Sequence, residues 1–133
     1  MNEVAKAPAV GMAAASFRHG PVEVVDRNFK GLVFVPCGKT RGLNLSLAED
    51  VDHFGGRVRL IGPRDADLSE LQWIDTPACP DTLAPLLEIV PVQVAAMRLA
   101  ELRGIVLGSF RYAAQVTRDE GSIALKLPLT ANR

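Results

Sequence analysis

The sequence predicts an α/β fold built on a parallel sheet. Two observations carry that reading: short apolar runs closed by Pro or Gly alternate with segments of helical period, and a long apolar helical segment follows the last run. Strands separated by helices pair in parallel through right-handed crossovers.

Each element has its own signature. Leu32-Val33-Phe34-Val35, stopped by Pro36, is a continuous apolar run with the look of a strand buried on both faces. Leu43, Leu47, Val51 and Phe54 recur at helical spacing, and Gly55-Gly56 ends that helix with residues tolerant of left-handed dihedrals. Arg57 to Ile61 is a second strand, stopped by Gly62-Pro63, and Gln72 to Asp75 a third before Pro77. We therefore expect parallel strands near 32–36, 57–61 and 72–75, with helices near 43–54 and 82–103. In the last helix Leu83, Leu86, Leu87, Val90, Val94, Met97 and Leu102 make a broad apolar face that must pack on the sheet. Asp81 or Thr82 can cap its start and Gly104 its end, while Pro91 predicts a kink or break near Ile89-Val90. The tail is less periodic, and Ile123 to Leu129 reads as a short extra strand or an extended arm.

Composition narrows the function classes. A length of 133 residues supports one domain, and 15 basic residues cancel 15 acidic ones, which leaves no field to draw nucleic acid or an anionic membrane. Cys37 and Cys79 have neither metal-ligand spacing nor the density of a secreted scaffold, so a reducing cytoplasm is expected, and no metal or cofactor. The Ala/Gly-rich stretch before Ala15 lacks a positive flank and is broken by Pro8, unlike a secretory signal. Arg98, Glu101 and Arg103 interrupt the nearest apolar window, so no membrane span is expected, and the Arg98/Glu101 pair itself reads as a solvated face. Gly38-Lys39-Thr40 sits where a phosphate-binding loop would, but Val33 occupies the position of that motif's first glycine, so the stretch is an ordinary strand-to-helix turn.

Chemistry converges on Phe17-Arg18-His19-Gly20-Pro21. An imidazole that exchanges its proton near neutral pH stands beside a fixed cation and just before a forced turn. The same residues also fit a surface helix ended by Gly-Pro.

Phe17-Arg18-His19-Gly20-Pro21-Val22-Glu23-Val24-Val25, the strand that follows, and Val90-Pro91-Val92-Gln93-Val94-Ala95-Ala96 leading to Arg103-Gly104 together resemble the second half of a sugar isomerase (SIS) domain. The likeness is to the C-terminal isomerase lobe of glutamine:fructose-6-phosphate aminotransferase and to the related hexosamine-phosphate deaminases. It runs from about Asn2 to Glu120, so 1–120 is expected to be the C-terminal part of one three-layer α/β/α domain and 121–133 a tail. In such a site a glutamate moves a proton between C1 and C2 of the sugar, a His-Gly-Pro histidine assists ring opening and a lysine completes the set. The resemblance places Glu3 at the glutamate and His19 at the histidine, with Arg18 as a substrate-binding cation.

The departures are as informative. Gln115 stands at the lysine position, and an amide neither forms a Schiff base nor holds a charge. Ser16 replaces a carboxylate and Phe110 a proline. The Ser/Thr-rich phosphate loop of the family would precede Met1, so we expect a truncated or split domain. The implied function is binding and isomerisation of a phosphorylated hexose or hexosamine, with activity lost in the isolated chain; a non-catalytic sugar-phosphate-binding or structural relic is the alternative. The family completes its site across a dimer, so a homodimer or a complementing N-terminal half is the expected partner.

Overall fold

The computed structural model describes residues 1–64 and 70–111. The chain divides into two units, one comprising Val10–Ala95 and the other Met1–Ala9 with the segment from Ala96 onward.

In the first unit, a short helix α2 (Ala14–Arg18) and a 3₁₀ turn (Pro21–Val24) lead into β1 (Lys30–Phe34), α3 (Arg41–His53), β2 (Arg57–Gly62) and β3 (Gln72–Asp75). The strands lie in the order β1-β2-β3 and both pairings are parallel, as the alternation predicts. Register sets the two faces. Val33, Leu60 and Trp73 share one row and Phe34, Ile61 and Ile74 the next, so the two rows face opposite sides of the sheet.

The core forms on the α3 side. Val35, Val58 and Leu60 pack with Leu47, Ala48 and Val51 of α3, and Ala14, Phe17, Val25 and Phe29 close over them. Gly55, at φ 89°, and Gly56 turn the chain out of α3, with the Gly56 N–H donating to Val51 O. A side chain at Gly62 would collide with the Val35 carbonyl, so the close approach of β1 and β2 at their carboxyl ends requires glycine there. The expectation that β1 is buried on both faces is corrected: Leu32 and Phe34 are each 39% exposed, because the face opposite α3 is incompletely covered.

The last helix, α4 (Ala84–Leu102), runs through Pro91 without a break, so of the two expected outcomes, a kink or a break, the break is excluded. Proline removes one N–H donor, and the rest of a 19-residue ladder tolerates that loss. The helix starts at Ala84, after a turn in which the Leu83 and Ala84 N–H groups donate to Pro80 O, so neither Asp81 nor Thr82 immediately precedes it. A second correction concerns its apolar face. Leu86 (68% exposed) and Val94 (58%) face solvent, and the residues buried in this part of α4 are Ala84 and Glu88.

In the second unit α1 (Asn2–Ala5) is a single turn. The end of α4 closes with Gly104 at φ 66°, its N–H donating to Glu101 O and that of Ile105 to Ala100 O, the paired bonds of a glycine-terminated helix. Gln115 and the 123–129 stretch lie outside the described residues.

Candidate functional site

His19 terminates α2. Its backbone (φ −94°, ψ 40°) has left the helical region, its N–H donates to Ser16 O at 3.3 Å, and Gly20 at φ 143° turns the chain into the Pro21 3₁₀ turn. The imidazole is exposed as a result. Arg18, beside it, points back onto α3, where Nη1 donates to Asp50 Oδ2 at 2.7 Å and Nη2 to Ser46 Oγ at 3.3 Å. A guanidinium held this way anchors α2 to α3, a use that competes with holding a ligand. Sequence reading did not find Asp50 as its partner, because the two lie 32 positions apart.

Glu3 belongs to the other unit, in the first turn of α1, with an exposed side chain. Its backbone carbonyl accepts from Lys6 Nζ at 2.6 Å. Ser16 contributes its carbonyl to the His19 turn, and the Phe110 ring lies 5.4 Å from Lys6 Nζ. Gln115 lies outside the described residues.

A polar group at the carboxyl ends of the strands was not anticipated. Arg41, the first residue of α3, donates from Nη1 to Val35 O at 2.6 Å and from Nη2 to Pro63 O at 2.7 Å, joining the ends of β1 and β2, and its guanidinium lies 5.6 Å from the Trp73 ring. Glu88 is only 4% exposed, and its Oε1 has no hydrogen-bond partner among the described residues. Burial raises its carboxyl above the ordinary 4.5, opposed by the Arg41 charge and reinforced by Asp81. The signal was present in the sequence as a lone acid inside Leu86-Leu87-Glu88-Ile89-Val90.

The Gly38 turn is closed to phosphate. Its N–H donates to Pro36 O at 2.9 Å, and the Asp81 carboxylate lies where a Gly38 side chain would be, an anion in place of one to be bound. A shallow depression of about 260 Å³ beside the end of α3 is lined by Glu49, Asp52, His53, Glu70 and Leu71, and its three carboxylates likewise oppose an anionic ligand. Among the described residues no group of three or more His, Cys, Asp or Glu side chains is placed to hold a metal ion, and no helix is long and apolar enough to cross a membrane.

Comparison with models of protein families gives no match. Among characterised proteins the chain is similar to the isomerizing glutamine–fructose-6-phosphate aminotransferase of Pyrococcus horikoshii, with 33% identity over 106 residues, 78% of this chain and 18% of that protein. The enzyme of the same name from Brucella abortus is 29% identical over 108 residues, with the same coverage of 78% and 18%. The chain thus spans about a fifth of the length of these relatives. Among solved structures it matches the C-terminal domain of glucosamine-fructose-6-phosphate aminotransferase from Francisella tularensis, with a TM-score of 0.71 and 22% identity over 80% of this chain and 31% of that one. At that identity the match speaks for the fold, and it agrees with the parallel order β1-β2-β3. The chain is similar in sequence to part of the isomerizing glutamine–fructose-6-phosphate aminotransferases and has the α/β fold of the C-terminal domain of such an enzyme.

Proposed function

We propose that the chain is part of a sugar-isomerase domain that binds a phosphorylated hexose or hexosamine, with Glu3 moving a proton between C1 and C2 and His19 assisting ring opening. The observation that carries this reading is the 33% identity, over 78% of the chain, to an enzyme named for fructose 6-phosphate. Glu3 and His19 are both exposed, so a ligand can reach either side chain.

The polypeptide by itself is not expected to turn over. Remote binding of the phosphate is what would orient the reacting carbon against its base, and neither the Gly38 turn nor the acidic depression at the end of α3 is suited to an anion. A complementing N-terminal half, or a second copy, is the partner that would restore that binding, and the exposed apolar residues of α4 support a partner of this kind. Two free cysteines, Cys37 and Cys79, fit a reducing cytoplasm. Gln115 favours a second reading, in which the scaffold is kept for binding or architecture and the reaction is lost.

Calorimetry against glucosamine 6-phosphate, paired with a turnover assay on fructose 6-phosphate, separates these readings. We expect weak binding at most and no turnover from the chain alone. Turnover that disappears in both Glu3→Gln and His19→Ala would instead identify a working minimal enzyme.

A further inference from the structure

α1 is too short to hold itself. A helix of four residues, closed by one bond from Ala5 N–H to Met1 O at 2.9 Å, lies far below the length at which isolated helices persist. Yet it carries Glu3, and Ala5 within it is fully buried.

Its last carbonyls explain how it survives. A helix end leaves backbone oxygens without intrahelical donors, and they carry partial negative charge. Arg103 Nη1 donates to both Ala5 O and Lys6 O, each at 3.1 Å, across 98 and 97 positions of chain. Lys6 leaves the helix at φ 49°, ψ 34°, and in that conformation its Nζ donates to Glu3 O at 2.6 Å and to Ser109 O at 2.7 Å. Both bonds are charge-assisted, and the Phe110 ring adds its face to the ammonium at 5.4 Å. On the other side Asn2 closes a reciprocal pair with Ala9: Nδ2 donates to Ala9 O at 3.1 Å, and the Ala9 N–H donates to Oδ1 at 2.7 Å.

The base of the clamp is fixed as well. The Arg103 N–H donates to Leu99 O and Ala100 O, both at 3.1 Å, and the Gly104-Ile105 turn locks the residue at the end of α4. The guanidinium therefore starts from a rigid helix terminus.

We propose that Arg103 is the positioning residue for Glu3: its guanidinium, with Lys6, fastens α1 to the segment after α4 and fixes the backbone from which the Glu3 carboxylate projects. The functional side of this rests on the reading of Glu3 as the acid/base of the proposed site.

Amide hydrogen exchange on the full chain tests it, with sugar-phosphate binding measured in parallel. In Arg103→Met, which keeps the apolar stem and loses the donors, exchange at the Ala5 amide, which closes the helix on Met1 O, should rise by about tenfold or more, while the amides of Val33 and Leu60 stay protected. Arg103→Lys, whose ammonium can reach the same two carbonyls, should restore most of that protection. Unchanged exchange in the Met variant, or no rescue by Lys, overturns the proposal. Glu3→Gln serves as the control, since it should leave the clamp intact. If Arg103→Met frees α1 while neither it nor Glu3→Gln alters weak binding of glucosamine 6-phosphate, the clamp stands and the reading of Glu3 as a group that meets the sugar phosphate fails.

Discussion

α3 and α4 use their apolar residues in opposite ways. α3 is sparsely apolar, yet Leu47, Ala48 and Val51 are buried against Val35, Val58 and Leu60. α4 is rich in Leu, Ile and Val, but what it buries is Ala84, Ala96, Ala100 and the carboxyl-bearing Glu88, while Leu86, Val90 and Val94 stay 68%, 48% and 58% exposed. Each large aliphatic side chain left in water forgoes about 1.5–3 kcal/mol of burial. Apolar content therefore states how much burial a helix seeks, and the fold decides how much it receives. On α4 the demand exceeds what the chain supplies.

The largest effect that would sharpen this contrast lies in the core. Leu60→Ala should cost about 2–5 kcal/mol in urea unfolding, because it opens a cavity at a fully buried position, whereas Leu86→Ala should stay within about 0.5 kcal/mol. Similar losses at the two sites would break the comparison.

Glu88 gives the next effect, and a pH dependence. Its folded-state carboxyl is raised above 4.5 by burial, so the folded chain holds that proton more tightly than the unfolded one. The stability this contributes is complete below about pH 4.5 and is lost as pH climbs through the raised value. Glu88→Gln should flatten that part of the profile and be more stable than wild type at pH 8, where the buried carboxylate would have to be charged. Parallel urea midpoints for the two proteins across pH 4 to 8 would refute it.

The smallest effect belongs to α2. Arg18→Ala removes an ion pair whose side chains are 36% and 41% exposed, so the loss should be about 0.2–1 kcal/mol and should shrink in high salt. A salt-independent loss above that range would mean that Arg18 does more than anchor α2 to α3.

The strands and main helices were legible because the period of the pattern itself distinguishes them: Leu32 to Val35 and Arg57 to Ile61 are too short and too tightly bounded for helices, and the 41–53 segment repeats at helical spacing. The stop at Gly104 was legible for the same local reason. What escaped depends on distant partners. Nothing near Arg18 announces Asp50, nothing near Ala5 announces Arg103, and the pattern of β1 cannot tell that Leu32 and Phe34 lie on a half-covered face. Pro91 did not bring the break that was one of its two expected outcomes, since a long ladder absorbed one missing donor. Of the site, the exposed His19 turn was readable from Arg18-His19-Gly20-Pro21, while the burial of Glu88 was a tertiary outcome hidden in an apolar run.

That α4 presents an uncovered apolar surface is the claim on which the contrast with α3 depends, and light scattering over a range of protein concentrations tests it most directly. The predicted result is a mass that grows with concentration and falls back toward that of a single chain when Leu86 and Val94 are both replaced by Lys. A folded wild-type chain that stays monomeric at every concentration would contradict it.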